Sequence, residues 1–398
     1  MPPQFDIEGT VRALTWMLVG ASIVGMLAYR AHIPYAVALV LGGLIVEESG
    51  LIAVPHLEPG VLLFVLLPPL LFDASFRLDD RELRSVAHPV WLLALPGTLV
   101  TAFIVGGSVS VVLRLPLEVG LLFGSIVSAT DPVAVVAVFR SLHAPARLSV
   151  IAEAESLIND GIAITMYTVL IGLVTAGQAD LMAGTGLFVR QVVGGITIGT
   201  VMAVGFSRLA ATIDDHSIEM TLSTALAYGS YLVAQSFDTS GALACVAAGL
   251  IHGSYGRRVG MTESTTRLLD DLWEYFGFIA NAIVFMLVGF SANLRSLVAE
   301  AWPVATGIVV VLLARVIIVL TVPQPLRRID ISRAERTVLV WGGLRGALTI
   351  TLALAVPPQV AERQLLLTMA FGVVLFTLLV QGMTLPLVVR RAGLAQTS

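Results

Sequence analysis

Apolar residues run through this chain in thirteen blocks, and most of the arginines lie at the block ends or in the short polar segments between them. A bilayer core of about 30 Å asks for about 20 apolar residues per helix. Blocks of that order lie at roughly 11–29, 33–48, 59–76, 87–113, 117–140, 149–174, 185–210, 218–236, 240–256, 267–292, 301–322, 335–356 and 364–389. The pattern predicts an all-α polytopic membrane protein. The second, third and ninth blocks are short, and 218–256 admits another division around Asp238.

Charge placement tests the count. With the N-terminus outside and the C-terminus in the cytoplasm, 16 of the 23 basic residues fall in inside segments and 5 in outside ones, and Arg315 and Arg345 lie within blocks. The positive-inside rule predicts such a bias, and one helix more or fewer would scramble it. A multi-pass plasma-membrane protein is therefore expected. An odd count also allows two six-helix units joined by one linking helix, which would face opposite ways as an inverted repeat. The fifth and twelfth blocks are then equivalent, and both are interrupted near mid-span, by Thr130-Asp131-Pro132 and by Gly342-Gly343-Leu344-Arg345-Gly346. Paired interruptions at corresponding positions of two halves point to a transporter site.

Composition narrows the chemistry. Residues are 57% hydrophobic and 13% charged, against about 25% charged in soluble domains; the net charge of −4 adds little. Every basic residue is Arg, so no Lys is available for a Schiff base or a phosphate site. Cys245 is the one cysteine, which leaves no disulfide framework and no Cys metal cluster. The six histidines (His32, His56, His88, His143, His216 and His252) lack metal-ligand spacing. No Walker A loop, dinucleotide fingerprint, nucleophile elbow or His-Glu-x-x-His motif is present. The expectation is a protein that is not an enzyme, with no cofactor and no nucleotide or nucleic-acid partner. Small-residue pairs such as Gly42-Gly43 and Gly194-Gly195 read as helix-packing features. The N-terminus lacks the basic region of a signal peptide, so the first block is expected to be a retained helix. About eight residues follow the last block, and no soluble regulatory domain is expected.

The candidate site lies at the first interruption and in the block after it. Ionisable groups at membrane depth are costly and mark ion or proton pathways. Asp131 and Pro132 read as a helix restart, with Asp as cap and Pro in the first turn. The restarting half would aim its positive end at the membrane centre, where Asp131 offsets it, and Thr130 would offer hard oxygens to a small cation. The alternative is a capped proline kink without a ligand role. At about 100° per residue, Glu155, Ser156, Asn159 and Asp160 fall within roughly 140° of arc on one helix face, with Leu157 and Ile158 on the rest. Burial favours the protonated form of a carboxylate, so H⁺ and a cation can compete for Asp160. Glu155 reads as a structural carboxylate, its expected partner being Arg345 with Asn159 adding a hydrogen bond. Arg315 also needs a partner, which the sequence does not name. Asp73 reads equally as part of an inner pathway mouth or as a solvated helix-end carboxylate.

Four motifs in order carry a resemblance: Leu66-Leu67-Pro68-Pro69-Leu70-Leu71-Phe72-Asp73, Ser128-Ala129-Thr130-Asp131-Pro132-Val133-Ala134-Val135, Glu155-Ser156-Leu157-Ile158-Asn159-Asp160-Gly161 and Gly342-Gly343-Leu344-Arg345-Gly346-Ala347. Together they resemble the first monovalent cation/proton antiporter family, the NhaP-type and NHE-type sodium/proton exchangers. The resemblance implies an NhaA-like fold of about 13 transmembrane helices, a homodimer in the lipid bilayer, and a part in pH homeostasis. It implies core helices at approximately 87–174 and 301–389 that move against dimerisation helices at 11–76 and 185–292. It makes Asp160 the ion-binding and proton-carrying carboxylate. Thr130, Ser156 and Glu155 would assist with Na⁺, Asp131 would offset the half-helix ends, and Arg345 would brace Glu155 and Asn159. Asn159, where other branches have a second Asp, resembles the electroneutral members. Transported ions would be Na⁺ or Li⁺ and H⁺. A K⁺/H⁺ antiporter of the same fold is the alternative, since one carboxylate and neutral oxygens do not choose between the cations. A static, channel-like bundle has no need of two costly breaks at one depth.

Overall fold

The computed structural model describes residues 7–31, 34–49, 62–176, 181–291, 293–321 and 331–395. His32, His56, Arg327, Arg328, the N-terminal six residues and the start of the third predicted block at 59–61 lie outside them. The described residues form helices without strands, and each of the thirteen blocks is matched by a helix or by an interrupted pair. In order these are α1 (Ile7–Ala31), α2 (Tyr35–Ser49), α3 (Leu67–Phe76), α4 (Asp80–Leu113), α5 (Leu117–Ile126), α6 (Val133–Ser141), α7 (Ala146–Ala176), α8 (Leu181–Ala210), α9 (His216–Ser236), α10 (Gly241–Ile251), α11 (Glu263–Ser291), the short α12 (Leu294–Ala299), α13 (Ala301–Thr321), α14 (Arg333–Trp341), α15 (Ala347–Leu354), α16 (Arg363–Phe376) and α17 (Met383–Arg391). Wide π turns at Leu62–Leu66, His252–Gly256 and Thr377–Gly382 join neighbouring pieces. Among the described residues seven helical runs, α16 to α17 counting as one, are each long and apolar enough to cross a membrane, and the chain is a multi-pass membrane protein.

Helix starts follow their caps. Asp79 accepts the N–H groups of Arg81 and Glu82, so α4 begins seven residues before its apolar block. Asp215 caps α9, Ser240 caps α10, and Ser332 with Glu335 forms a capping box at α14. Such caps matter in this setting because terminal N–H groups near lipid have few other partners.

Packing sorts the helices. α4 lies against α5, α7 and α13; α6 against α7; and α16 against α13 and α15. Separately, α10 packs on α3, α8 and α9, while α11 packs on α1, α2 and α3. The groups meet where α7 touches α8 and α10, and where α15 touches α11. Glycines permit the closest crossings: a Cβ at Gly106 of α4 would lie 2.6 Å from the Leu121 Cα of α5, and one at Gly289 of α11 would lie 2.8 Å from the Gly43 Cα of α2. Gly194 and Gly195 abut Thr239 and Ser240 at the head of α10.

Candidate functional site

The two interrupted blocks cross. Between α5 and α6 the chain unwinds over 127–132, and between α14 and α15 over 342–346. The unwound strands are fastened to each other: the Asp131 N–H donates to the Leu344 carbonyl at 2.8 Å, and Arg345 Nη1 donates to the Ala129 carbonyl at 3.0 Å. The second break is also held by Thr377, whose hydroxyl accepts the Arg345 N–H at 3.1 Å. Thr377 opens a π stretch, a feature that leaves backbone groups free for such contacts.

Charges are matched to helix ends at this crossing. α6 and α15 both begin here, so their positive ends point inward. The Asp131 carboxylate accepts the Val133 N–H at 2.9 Å and also faces the Ala347 N–H. It therefore caps α6 and also stands at the start of α15. Gly346 lies hard against this carboxylate, and any Cβ there would overlap it. Arg345 is 1% exposed and reaches the opposite kind of group, a carbonyl just beyond the negative end of α5.

α7 presents the remaining groups. Asn159 spans Thr130, accepting its N–H at 3.2 Å and donating Nδ2 to its Oγ1 at 2.7 Å. The Ser156 hydroxyl donates to the Thr130 carbonyl. One threonine is thus held at three atoms, which fixes the unwound segment against α7. Asp160, one residue further, is half-buried and its Oδ1 has no hydrogen-bond partner. Its charged neighbours are Asp131 and Arg345, and no salt bridge reaches it among the described residues.

The expected Glu155–Arg345 pair does not form. Arg315 of α13 takes Glu155 instead, with Nη1 on Oε1 and Nη2 on Oε2 at 3.1 Å. The same guanidinium donates to the Leu339 carbonyl through Nε at 3.2 Å and Nη2 at 3.1 Å, at the C-terminal end of α14. Nor does Asn159 bond Arg345, since it is committed to Thr130. The reason is geometric: Arg345 sits on the crossing strand beside an unpaired carbonyl, whereas Arg315 approaches on a helix packed against α14.

A cavity of about 710 Å³ runs between the two helix groups. Asp160, Asp131, Thr130, Ser156 and Thr349 line its inner end, and Arg77, Arg140 and Arg257 line its mouth. Asp73 lies on its wall, paired with Arg77 at 2.9 Å, and Arg77 also holds Glu274 at 2.7 Å. Glu153 meets Arg140 at 3.2 Å. Asn281 of α11, Thr349, Glu153 and Thr377 were not singled out from the sequence. Asn281 and Glu153 are polar groups inside apolar or helix-end stretches and carried a weak signal; the threonines carried none.

An all-helical membrane bundle, with two broken helices crossing beside a lone carboxylate at the end of a cavity, defines a secondary transporter. The family described as "Sodium/hydrogen exchanger, transmembrane" matches residues 18–391, and the chain belongs to it. Relatives include the Na(+)/H(+) antiporter ApNhaP of Aphanothece halophytica, 37% identical over 98% of this chain and 75% of that one. The Na(+)/H(+) antiporter NhaH of Halobacillus aidingensis is 36% identical over 91% of this chain and 93% of its own length. Among solved structures, the sodium proton antiporter MjNhaP1 of Methanocaldococcus jannaschii at pH 8 has a similar fold, with a TM-score of 0.80 at 21% identity over 95% of this chain and all of that one.

Proposed function

We propose that this chain exchanges Na⁺ or Li⁺ for H⁺ across the plasma membrane, electroneutrally, with the two ions competing for Asp160. The observation that carries this reading is the state of the three carboxylates at the crossing. Glu155 is neutralised by Arg315, and Asp131 is bound by two helix starts. Of the three, only Asp160 has an oxygen without a hydrogen-bond partner, and Asp160 lines the cavity. One free carboxylate takes one proton or one monovalent cation, so each cycle moves one charge in each direction.

Thr130 and Ser156 stand beside Asp160 with lone pairs left for a cation after their mutual bonds, and Asn159 holds Thr130 in place rather than titrating. Asp73 and Arg77 belong to the entry route. The arginine-rich cavity mouth would be the cytoplasmic one, in keeping with an N-terminus outside and a C-terminus inside. Alternating access follows if the helices around the crossing (87–174 and 301–389) shift against the remainder (11–76 and 185–292), since the cavity lies on the seam. The remainder would form the dimer contact with a second copy in the bilayer. The names of the relatives favour Na⁺ over K⁺.

The test uses purified protein in sealed liposomes with a trapped pH dye. Gradients of Na⁺, Li⁺, K⁺ and choline are imposed with and without a K⁺/valinomycin clamp. Proton movement with Na⁺ or Li⁺, unchanged by the clamp, supports the reading. A rate that follows voltage refutes electroneutrality, and proton flux with K⁺ alone refutes Na⁺ selectivity.

A further inference from the structure

Thr349 is the other orphaned polar group at the inner end of the cavity. It lies at the third position of α15, fully buried, and its hydroxyl has no hydrogen-bond partner although it lines the same cavity as Asp160. Buried threonines in helices ordinarily return the hydroxyl to the carbonyl four residues back. Thr165, Thr351 and Thr368 of this chain do so. For Thr349 that carbonyl belongs to Arg345, which lies in the unwound strand and has the Thr377 hydroxyl 3.2 Å away. The break that forms the crossing thus leaves Thr349 without its usual acceptor. A buried hydroxyl with no partner is costly to keep, and such a group in a folded protein calls for an explanation, a bound ion being one.

The other candidate ligands all come from the first half of the chain. The Ser156 hydrogen is spent on the Thr130 carbonyl, and Thr130 Oγ1 already accepts from Asn159. A hard monovalent cation seeks several oxygens, and a face supplied by one half alone is open on the opposite wall. Thr349, from the second half, lines the same cavity. We propose that the Thr349 hydroxyl is a further ligand of the cation bound at Asp160, contributed by the second half of the chain, and that it helps set the preference among monovalent cations. This rests on the exchange reading above. The hydroxyl accepts nothing now, so its lone pairs are free to face the ion, and its hydrogen then turns away from the cavity.

The experiment compares wild type, Thr349→Val and Thr349→Ser in liposomes, measuring KM and maximal rate for Na⁺ and Li⁺ across pH, alongside melting temperature. Val keeps the shape and removes the oxygen; Ser keeps the oxygen. The expected result is a KM for Na⁺ raised roughly tenfold in Thr349→Val, as for loss of one polar partner of a charged group. Thr349→Ser should match wild type, and the pH profile should stay in place. An unchanged KM in Thr349→Val, or a lower maximal rate at unchanged KM, overturns the proposal. If Thr349→Val does not fold, Thr349→Cys carries the same test. It replaces hard oxygen by soft sulfur, so its KM should rise for Na⁺ but not for Tl⁺; a parallel change for both ions overturns the assignment. Wild type that exchanges no cation for protons removes the exchange reading itself, whereas active wild type with an unaltered Thr349→Val removes only the ligand.

Discussion

Glu155 of α7 and Arg315 of α13 meet 160 residues apart in sequence, both carboxylate oxygens on one guanidinium, with Arg315 9% and Glu155 3% exposed at the side chain. Removing one partner strands the other charge in a dry interior. Arg315→Ala should therefore lose about 3–5 kcal/mol of stability, read as a lower melting temperature in detergent. The paired change Glu155→Leu with Arg315→Leu should recover most of the loss in melting temperature. A stable, normally melting Arg315→Ala protein would deny the pair its structural role.

Asp160→Asn should melt close to wild type, because no partner is lost, yet show no Na⁺-dependent proton flux in liposomes. Neutral Asn cannot alternate between proton and cation. Robust flux in this variant would falsify the assignment of Asp160.

Asn159→Ala removes two hydrogen bonds to Thr130 and leaves the Thr130 N–H buried and unmade. The expected cost is about 1–3 kcal/mol, with exchange slowed because the unwound segment is no longer held against α7. Asn159→Asp keeps the acceptor for that N–H but loses the donor to Oγ1, and should fall between. The order of melting temperatures, wild type above Asp above Ala, is the check; Ala melting with wild type would sink it.

Gly346→Ala should be more damaging than its size suggests. The added methyl would occupy the Asp131 carboxylate, pulling it from two helix starts at once. Overpacking of this kind costs about 1–3 kcal/mol, and exchange should be lost together with thermal stability. Asp131→Asn keeps a cap for Val133 without the full charge and should be the milder change, as paired melts and flux assays would reveal.

Hydropathy is a local property, so thirteen helices and both interruptions were readable along the chain without any knowledge of packing. Asp131-Pro132 announced a helix restart because capping chemistry is also local. Pairings between distant helices were not readable: Glu155 had two buried arginines to choose from, and only the packing of α13 on α14 selects Arg315. That Asp131 also serves the second half-helix start came only from the family resemblance, since nothing near Asp131 in sequence announces Ala347. Asn159 was seen on the correct helix face, but its hold on Thr130 depends on how the unwound strand lies across α7. Thr349 was invisible, because a threonine in an apolar helix normally satisfies itself.

The Asp131–Leu344 and Arg345–Ala129 bonds have an outcome for energetics as well as for shape. Each ties one half of the chain to the other at the crossing, so neither strand shifts without its counterpart. Under the exchange proposed above, a site framed in this way would travel whole, its oxygens keeping their spacing whichever side of the membrane they meet. The same oxygens would then meet the ion from either face. An exchanger built so would have no built-in direction, and the gradients on its two sides alone would decide which way each ion goes.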